Sequence, residues 1–418
     1  MQTTPDPGIV IIGAGEAGTR AALTLREKHY AGPITLLGAE SHLPYERPPL
    51  SKTVQTAPEP PAPTLIGGAG TLAAQNISYR AGNTATRIDR ASQEVHLRDG
   101  TALRYSRLLL ATGARPRTLP LPGAEQNGVL YLRSFGDAMA LRNRLAPGLR
   151  LAVIGGGFIG LEMAASALER GCDVTVVEMA PRILGRAVPA QIAALVAAEH
   201  RAAGITIIEG IGLTAIEQRP NGCAVILADG RELEADAIIA GIGAIPETAL
   251  AEAAGLPVEN GIRVDGRLAT EDPLIFAAGD CCSFPHPVFS GRRLRLEAWR
   301  NAQDQGRHAA GSLLGETAAF ATVPWFWSDQ HGSTLQISGL PDEGNQTVTR
   351  DIDGMPFLFH LRDGCLVGAS AFGPIGKVAR DIRLAEMLIE SGASPDPAAL
   401  ANPSVKLKTF LQPRAAVA

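Results

Sequence analysis

The chain has 418 residues, of which 45% are hydrophobic and 19% are charged, as in an ordinary globular protein of about three domains. Its net charge of −4 and pI near 6.1 argue against a nucleic-acid-binding protein, which usually carries a basic domain. The first residues lack the features of a signal or transit peptide, and no apolar run reaches the length of a membrane helix, so we expect a cytoplasmic protein.

A strand, a glycine-rich turn and a helix form the first strong pattern. Ile9–Ile12 read as a buried strand, Gly13-x-Gly15-x-x-Gly18 follows, and Thr19–Lys28 is predicted to be helical. In this context the first glycine permits a tight turn, the second lets backbone N–H groups approach a pyrophosphate, and the third lets helix and strand pack closely. The pattern predicts a dinucleotide site at the positive end of the helix.

The next segment contains a ribose candidate and a proline-rich motif. Glu40 follows the second strand, Ile34–Gly38, and stands 22 residues after Gly18, where an acidic residue accepts a ribose hydroxyl in such units. The prolines of the motif Pro48-Pro49-Leu50-Ser51-Lys52 predict an extended segment, and Ser51 is expected to cap a following helix. By composition alone, Lys52 is a solvated helix residue.

The same pattern occurs a second time. The strand Leu151–Ile154 meets Gly155-x-Gly157-x-x-Gly160, and Glu178 ends the next strand 18 residues later. Each copy closes with an apolar strand, a glycine and a proline three residues after it, at Leu108–Pro116 and Ala237–Pro246. This duplication predicts two bound dinucleotides in one chain. A 2′-phosphate on the bound dinucleotide would meet like charge at Glu178, so a dinucleotide without that phosphate is expected.

The last part of the chain changes character. Pro273–Asp280 reads as a strand that ends in Gly-Asp, and a helix is predicted from Arg295 to about Gly315. Short alternating strands follow Val323–Asp329, and Val378–Glu390 is predicted to be a helix. This order indicates an antiparallel sheet with a helix on it.

Taken together, these motifs resemble those of the FAD-dependent, NADH-dependent ferredoxin reductases of bacterial cytochrome P450 and Rieske oxygenase systems. That family includes putidaredoxin reductase and biphenyl-dioxygenase ferredoxin reductase. The resemblance covers nearly the whole chain as far as Gln412. The motifs on which it rests are, in order, Gly13–Gly18, Pro48–Lys52, Ala111-Thr112-Gly113, Gly155–Glu162, Ala278-Gly279-Asp280 and Pro324–Asp329.

The resemblance implies an α/β fold of the glutathione-reductase type, with two Rossmann-like dinucleotide-binding domains and a C-terminal α+β domain built on an antiparallel sheet. The implied FAD-binding domain has two segments, 1–115 and 243–326, the NADH-binding domain spans 116–242, and the C-terminal domain spans 327–418. The implied enzyme is an NADH-dependent ferredoxin reductase, a flavoprotein that passes electrons from NADH through FAD one at a time to a small [2Fe-2S] ferredoxin. A monomer or weak dimer is expected.

Carried over position by position, the resemblance also implies the site residues. Lys52 and Glu162 would be catalytic residues near the flavin and nicotinamide rings. Ala39 stands where the family commonly has an acid directly after the strand, which leaves Glu40 as the candidate for the FAD ribose. No metal-ligand cluster is evident. The implied FAD residues are Gly13, Gly15, Ala17, Gly18, Glu40, Lys52, Ala85, Arg133, Asp280 and Trp299, and the implied NADH residues are Gly155, Gly157, Ile159, Gly160, Glu178 and Gly243.

Two other functions compete with this one. An NADH-dependent disulfide or peroxide reductase would need a redox cysteine near the flavin, but the five cysteines include no C-x-x-C spacing and are expected to be free thiols. A flavoprotein resembling apoptosis-inducing factor would act by binding, and the acidic pI and missing transit segment weigh against it.

A basic run offers a hypothetical docking face for an acidic ferredoxin. It comprises Gly291–Arg295, followed by Arg300 and Arg307, with Lys406 and Lys408 as the next candidates. A structural or solvated role for this run is equally compatible with the sequence. Trp325 and Trp327 are core residues or an electron route.

Overall fold

The computed structural model describes residues 6–125, 128–186, 188–220 and 222–411. Helices are separated by single strands or by runs of strands in the first two thirds of these residues, and strands dominate the remainder. The strands are β1 (Ile9–Ile12), β2 (Ile34–Leu37), β3 (Ile77–Arg80), β4 (Ala85–Asp89), β5 (Glu94–Leu97), β6 (Ala102–Arg104), β7 (Arg107–Leu110), β8 (Ala114–Pro116), β9 (Arg150–Ile154), β10 (Asp173–Glu178), β11 (Thr206–Glu209), β12 (Leu213–Arg219), β13 (Gly222–Leu227), β14 (Glu232–Ala235), β15 (Ala237–Ala240), β16 (Ala244–Pro246), β17 (Ile262–Arg263), β18 (Ile275–Ala277), β19 (Cys282–His286), β20 (Arg292–Leu294), β21 (Trp325–Gln330), β22 (Ser333–Gly339), β23 (Gln346–Ile352), β24 (Met355–Arg362) and β25 (Cys365–Pro374).

The helices include several of three turns or more and several of a single turn. They are α1 (Glu16–Glu27), α2 (Thr53–Thr56), α3 (Thr71–Ala74), α4 (Phe135–Arg144), α5 (Phe158–Glu169), α6 (Ala190–Ala203), α7 (Ala249–Ala253), α8 (Trp299–Leu313), α9 (Ala379–Glu390) and α10 (Pro397–Ala401), with 3₁₀ turns at Pro48–Ser51, Pro287–Phe289, Pro341–Glu343 and Leu407–Phe410.

The chain divides into two structural units, each assembled from separate segments. The first unit contains the chain up to Glu46, Ala62–Arg115 and Ile245–Thr322. The second contains Arg47–Pro61, Pro116–Ala244 and the chain from Val323 onward.

The first unit is built on a parallel five-stranded sheet with the strand order β18-β7-β1-β2-β3. All four residues of β1 are buried because the strand lies in the middle of this sheet, which explains its unbroken apolar run. The carboxyl ends of parallel strands meet at one edge of a sheet, so the turn after β1 and the Gly-Asp pair after β18 lie at the same edge. Helix α8 packs against α1 in this unit.

The second unit contains a parallel four-stranded sheet with the order β11-β10-β9-β15. Because β10 pairs with β9 through Val177 and Ile154, the end of β10 lies beside the glycine turn that follows β9. The antiparallel strands β12, β13 and β14 form a smaller sheet in the same unit.

The antiparallel sheet expected near the C-terminus is present, also in the second unit. Its order is β21-β22-β25-β24-β23, with antiparallel pairing throughout. Helix α9 packs on β22 and β25, and its buried residues, among them Ile382, Ala385 and Ile389, follow a helical period. Over the described part of the chain, no helix is long and apolar enough to cross a bilayer.

Candidate functional site

In the first glycine turn, which lies in the first unit, two of the three glycines are required because a side chain would clash with nearby backbone. Gly13 has a φ of +110°, and a Cβ atom there would lie 2.1 Å from the carbonyl oxygen of Ala111. A Cβ atom on Gly18 would lie 1.9 Å from the carbonyl oxygen of Gly13. Both contacts are impossible, so the turn and the close packing of α1 exclude side chains at these positions.

At Gly15, by contrast, a side chain would not clash with the backbone. Its φ of −77° and ψ of −169° suit any residue, and a Cβ atom there would meet nothing within 4 Å. Helix α1 starts at the next residue, and the Gly15 N-cap provides no side-chain hydrogen bond to the helix end. A side chain here would fill the space in front of unpaired N–H groups, so this cradle fits a bound phosphate.

The second glycine turn, in the second unit, repeats this division. A Cβ atom on Gly155 would lie 2.6 Å from the carbonyl oxygen of Gly241, and one on Gly160 would lie 2.1 Å from the carbonyl oxygen of Gly155. Around Gly157, the N-cap of α5, the nearest atom to a Cβ would be at an ordinary 3.7 Å. Each unit therefore holds one such cradle, a glycine turn with open space in front of a helix N-terminus.

Glu178 closes one side of the second cradle. Its carboxylate accepts the backbone N–H of Gly156 at 2.7 Å with Oε2 and that of Ala180 at 2.7 Å with Oε1. These bonds hold a negative charge at the end of β10, next to the glycine turn. Each carboxylate oxygen has a second lone pair, so the group retains the capacity to accept a ribose hydroxyl.

Ala17 and Asp280 lie at the edge of the first sheet where the glycine turn lies. A Cβ atom on Gly279 would come within 3.0 Å of the Ala17 Cβ, and one on Gly306 within 2.4 Å of the Ala17 carbonyl oxygen. The Gly279 N–H donates to Oε1 of Gln305 at 2.7 Å. Small residues thus bring α1, α8 and the Gly-Asp turn into close contact.

Glu40 lies just after the second strand of the same sheet, and Ala85 begins β4 in the same unit. The Glu40 carboxylate accepts the hydroxyl of Tyr45 at 2.5 Å, and its backbone carbonyl accepts the N–H of Gly82 at 2.9 Å. The loop that leads into β4, which begins at Ala85, is therefore attached to Glu40. The contact of Glu40 with the FAD ribose stays a prediction.

The second unit brings Lys52 and Glu162 together. Lys52 Nζ lies 2.7 Å from Glu162 Oε2, and the Glu162 side chain is only 4% exposed. Ser51 Oγ donates to the same oxygen at 2.5 Å, and Ser328 Oγ donates to Oε1 at 2.6 Å. The buried carboxylate is thus fully paired, which offsets the cost of its desolvation.

The prediction for Ser51 was wrong. Helix α2 has Lys52 as its N-cap and no side-chain cap, and the Ser51 hydroxyl donates to Glu162. A cap requires a serine at the N-cap position whose oxygen accepts an N–H of the first turn, whereas Ser51 lies one residue earlier, in the 3₁₀ turn Pro48–Ser51.

Buried side chains of α4 and α5 anchor the segment that carries Lys52. The Arg142 guanidinium donates to the backbone carbonyls of Val54 and Gln55, both at 2.9 Å, and to two further carbonyls of the following loop. Ser166 Oγ donates to the Ser51 carbonyl at 2.7 Å. The Lys52 backbone is therefore held on both sides.

The remaining predicted site residues are distributed over both units. Arg133 lies in the second unit, where its backbone N–H donates to Asp137 Oδ2 at 3.1 Å. Ile159, at the start of α5, is 46% exposed, and Gly243 has a φ of +105°. Trp299 begins α8 in the first unit.

Two arginines of the basic run have partners within their own unit. Arg293 donates to the carbonyls of Val264 and Ser283 at 2.8 and 2.6 Å, and burial lowers the pKa of its guanidinium. Arg295 pairs with Glu297 at 2.5 Å. A docking role for Arg293 does not fit these contacts, whereas Arg292 is exposed.

Sequence reasoning missed Ser328 and the polar residues behind it. One signal was available: Phe326, Ser328 and Gln330 alternate along a strand, so they point to one face. The face that carries Ser328 proves to be the face toward Glu162.

Known proteins similar to this chain match it over nearly its full length. Residues 7–306 match the family described as pyridine nucleotide-disulphide oxidoreductase, and residues 325–411 match the one described as reductase C-terminal. The chain is 44% identical to the ferredoxin–NAD(+) reductase component of the anthranilate 1,2-dioxygenase system of Burkholderia cepacia, over 97% of this chain and 99% of that protein. It is 37% identical to putidaredoxin reductase of Pseudomonas putida, over 96% of each chain.

Solved structures are similar as well. The ferredoxin reductase for the CYP199A2 system from Rhodopseudomonas palustris has a TM-score of 0.91 and 38% identity, over 97% of this chain and 99% of that chain. The covalent putidaredoxin reductase–putidaredoxin complex gives a TM-score of 0.91 and 36% identity, over 97% of this chain and 98% of that chain. The α/β fold class predicted from the sequence is confirmed.

Proposed function

This chain belongs to the pyridine nucleotide-disulphide oxidoreductase family, and we propose that it passes electrons from NADH through FAD, one at a time, to a small [2Fe-2S] ferredoxin. In this proposal the ferredoxin serves a cytochrome P450 or a Rieske oxygenase. Supporting relatives are the reductase component of a dioxygenase system and putidaredoxin reductase, each similar over at least 96% of this chain. The structural observation that supports the proposal is the pair of phosphate cradles, each with one glycine that the packing of the turn does not require.

We assign FAD to the first unit and NADH to the second. In the first unit the Gly-Asp turn after β18 lies at the same sheet edge as the glycine turn, which supports a role for Asp280 in holding a polyol chain beyond the pyrophosphate. In the second unit the carboxylate of Glu178 is held beside the glycine turn, which supports its role in accepting the 2′-hydroxyl of NADH and repelling a 2′-phosphate. The implied domain limits and the implied contacts of Lys52, Ala85, Arg133 and Trp299 with FAD belong to this proposal.

Lys52 and Glu162 have the leading catalytic roles in the proposal. When bound, FAD accepts a hydride and releases electrons singly, which is chemistry that the protein itself does not supply. The Lys52 ammonium presents a positive charge, and Glu162 holds it in one position through the 2.7 Å ion pair. A fixed cation favours negative charge that develops nearby, and it needs no rearrangement during the reaction.

The disulfide or peroxide reductase is less well supported. The five cysteines are free, and four of them are buried. Burial raises the pKa of the Cys281 and Cys282 thiols, which makes both poor nucleophiles. The fifth, Cys365, is exposed and lies in the second unit at the start of β25.

The proposal is tested with the purified flavoprotein under anaerobic conditions. NADH is expected to bleach the flavin absorbance, and cytochrome c reduction is expected to depend on an added [2Fe-2S] ferredoxin. Electrons that reach a disulfide or peroxide substrate but not the ferredoxin would overturn the proposal in favour of the alternative enzyme. Size-exclusion chromatography tests the proposed monomer or weak dimer, and fractionation of the producing cells tests the cytoplasmic location.

A further inference from the structure

A continuous chain of hydrogen bonds leads away from Glu162 through the second unit. Glu162 Oε1 accepts from Ser328 Oγ at 2.6 Å, and Ser328 Oγ accepts from Gln330 Nε2 at 2.9 Å. Gln330 Oε1 lies 2.5 Å from His200 Nε2, and His200 Nδ1 lies 3.1 Å from His331 Nε2. Ser328, Gln330 and His200 are all buried, so this is an internal polar path.

The chemistry of the groups sets the direction of every bond in this path. An amide oxygen only accepts, so Gln330 Oε1 requires a proton on His200 Nε2. Burial lowers the pKa of His200 to about 4, so the ring is neutral near pH 7 and its Nδ1 carries no proton. His331 Nε2 must therefore donate to His200 Nδ1. All donors point toward Glu162, and aligned bonds of this kind strengthen one another.

Local structure explains why these residues meet. Ser328 and Gln330 alternate along β21 and share a face, and His200 reaches them from α6. His331 and Gly332 form the turn between β21 and β22, with φ values of +50° and +81°. That turn directs His331 back onto His200, where the two rings pack edge to face at 4.6 Å.

We propose that Ser328, Gln330, His200 and His331 are positioning residues that hold the Glu162 carboxylate in the orientation in which it binds Lys52. This inference rests on the proposed function, in which the Lys52 ammonium lies where NADH reduces FAD. Ser51 and Lys52 occupy one carboxylate oxygen, so the Ser328 hydroxyl is the donor that fixes the other. Loss of that donor leaves the carboxylate free to rotate and the ammonium misplaced.

Ser328→Ala tests the first link. The rate of flavin reduction at saturating NADH is expected to fall about tenfold, the usual scale for one hydrogen bond to a charged group, while the Kd for NADH stays unchanged. Ser328→Thr keeps the hydroxyl and is expected to restore the rate. Ser338→Ala is the matched control, because Ser338 is fully buried in the neighbouring strand and its hydroxyl has no hydrogen-bond partner among the described residues. Equal rates in the two alanine variants would overturn the inference.

Gln330→Met tests whether the chain acts beyond Ser328. Methionine is similar in length and cannot accept or donate as the amide does, so flavin reduction is expected to slow about threefold. A wild-type rate in this variant would refute a role for the chain behind Ser328.

The direction of the hydrogen bonds along this path can be determined in the absence of NADH. In protein labelled with ¹⁵N-histidine, His200, assigned by comparison with His331→Asn, is expected to carry its proton on Nε2. A proton on Nδ1 would reverse the path and overturn the inference. If NADH did not reduce the flavin of the wild-type protein, the proposed function would be refuted instead. The histidine spectra would still show whether the hydrogen bonds run toward Glu162.

Discussion

Replacement of Glu178 by glutamine is expected to weaken the preference for NADH over NADPH. The carboxylate is held by two backbone N–H groups at 2.7 Å, so its charge stays at the edge of the glycine turn. Arg182, which follows it in the chain, donates to the carbonyls of Leu184 and Val188 at 3.1 and 2.9 Å and is thereby held by its own loop. That arrangement reduces its capacity to neutralise a 2′-phosphate.

Simple electrostatics supplies the size of the effect. Two unit charges at about 4 Å in an effective dielectric of about 20 repel by about 4 kcal/mol. Glu178 is partly exposed, and solvent reduces this to about 1.4 kcal/mol or more, which is a factor of about ten. We therefore expect the wild-type kcat/KM for NADH to exceed that for NADPH by at least about tenfold, and the ratio to fall about tenfold in Glu178→Gln.

Steady-state kinetics with ferricyanide as the electron acceptor measures both ratios. Asp173→Asn is the control, because the exposed Asp173 begins the same strand, about 17 Å from Glu178 at the usual rise per residue. Salt screens charges at that separation, so the control is expected to keep the wild-type ratio. Equal kcat/KM values for the two nucleotides in the wild type, or an unchanged ratio in Glu178→Gln, would refute the role of Glu178.

Three further predictions address the flavin, the docking face and stability in acid. Denatured wild-type protein is expected to release close to one FAD per chain. Gly15→Val is expected to release almost none, although its unfolding midpoint without flavin is unchanged. Two flavins per chain would contradict the assignment. Arg292→Glu is expected to raise the KM for ferredoxin while NADH–ferricyanide activity is preserved. A fall in both activities for this variant would place the docking face elsewhere. Arg293→Glu is expected to lower the unfolding midpoint instead, because it sets a carboxylate against two carbonyls. Burial lowers the pKa of His360 to about 4, so only the unfolded chain takes up a proton at this residue as pH falls from about 6.5 to 4, and the folded state loses about 3 kcal/mol of stability. Urea unfolding at both pH values should show a smaller loss of stability in His360→Gln than in the wild type. An equal loss would exclude His360 as the cause.

Sequence reasoning was reliable where the residues of a feature are neighbours in the chain. Each glycine turn lies within six residues, and the requirement for glycine at its first and third positions comes from the backbone of the same strand, turn and helix or of the adjacent strand. The alternating strands near the C-terminus were likewise predicted from their own period of two.

The same reasoning failed where a side chain takes its partner from a distant segment. The cap predicted for Ser51 was wrong: Ser51 lies in a 3₁₀ turn before the N-cap Lys52, and its hydroxyl donates to Glu162, 111 residues away along the chain. The basic run was treated as one surface, yet the carbonyls that bind Arg293 come from Val264 and Ser283.

The sequence alone was enough to predict the two glycine turns, the acid at the end of β10 and the fold class, because each depends on short spacings and on the pattern of buried strands. Only the tertiary structure decided how the Lys52–Glu162 pair is held, since Ser328 comes from 166 residues beyond Glu162 and His200 meets Gln330 across 130 residues. Local periodicity shows which face of an element is buried, but the partner of a polar group on that face is decided by how the elements pack.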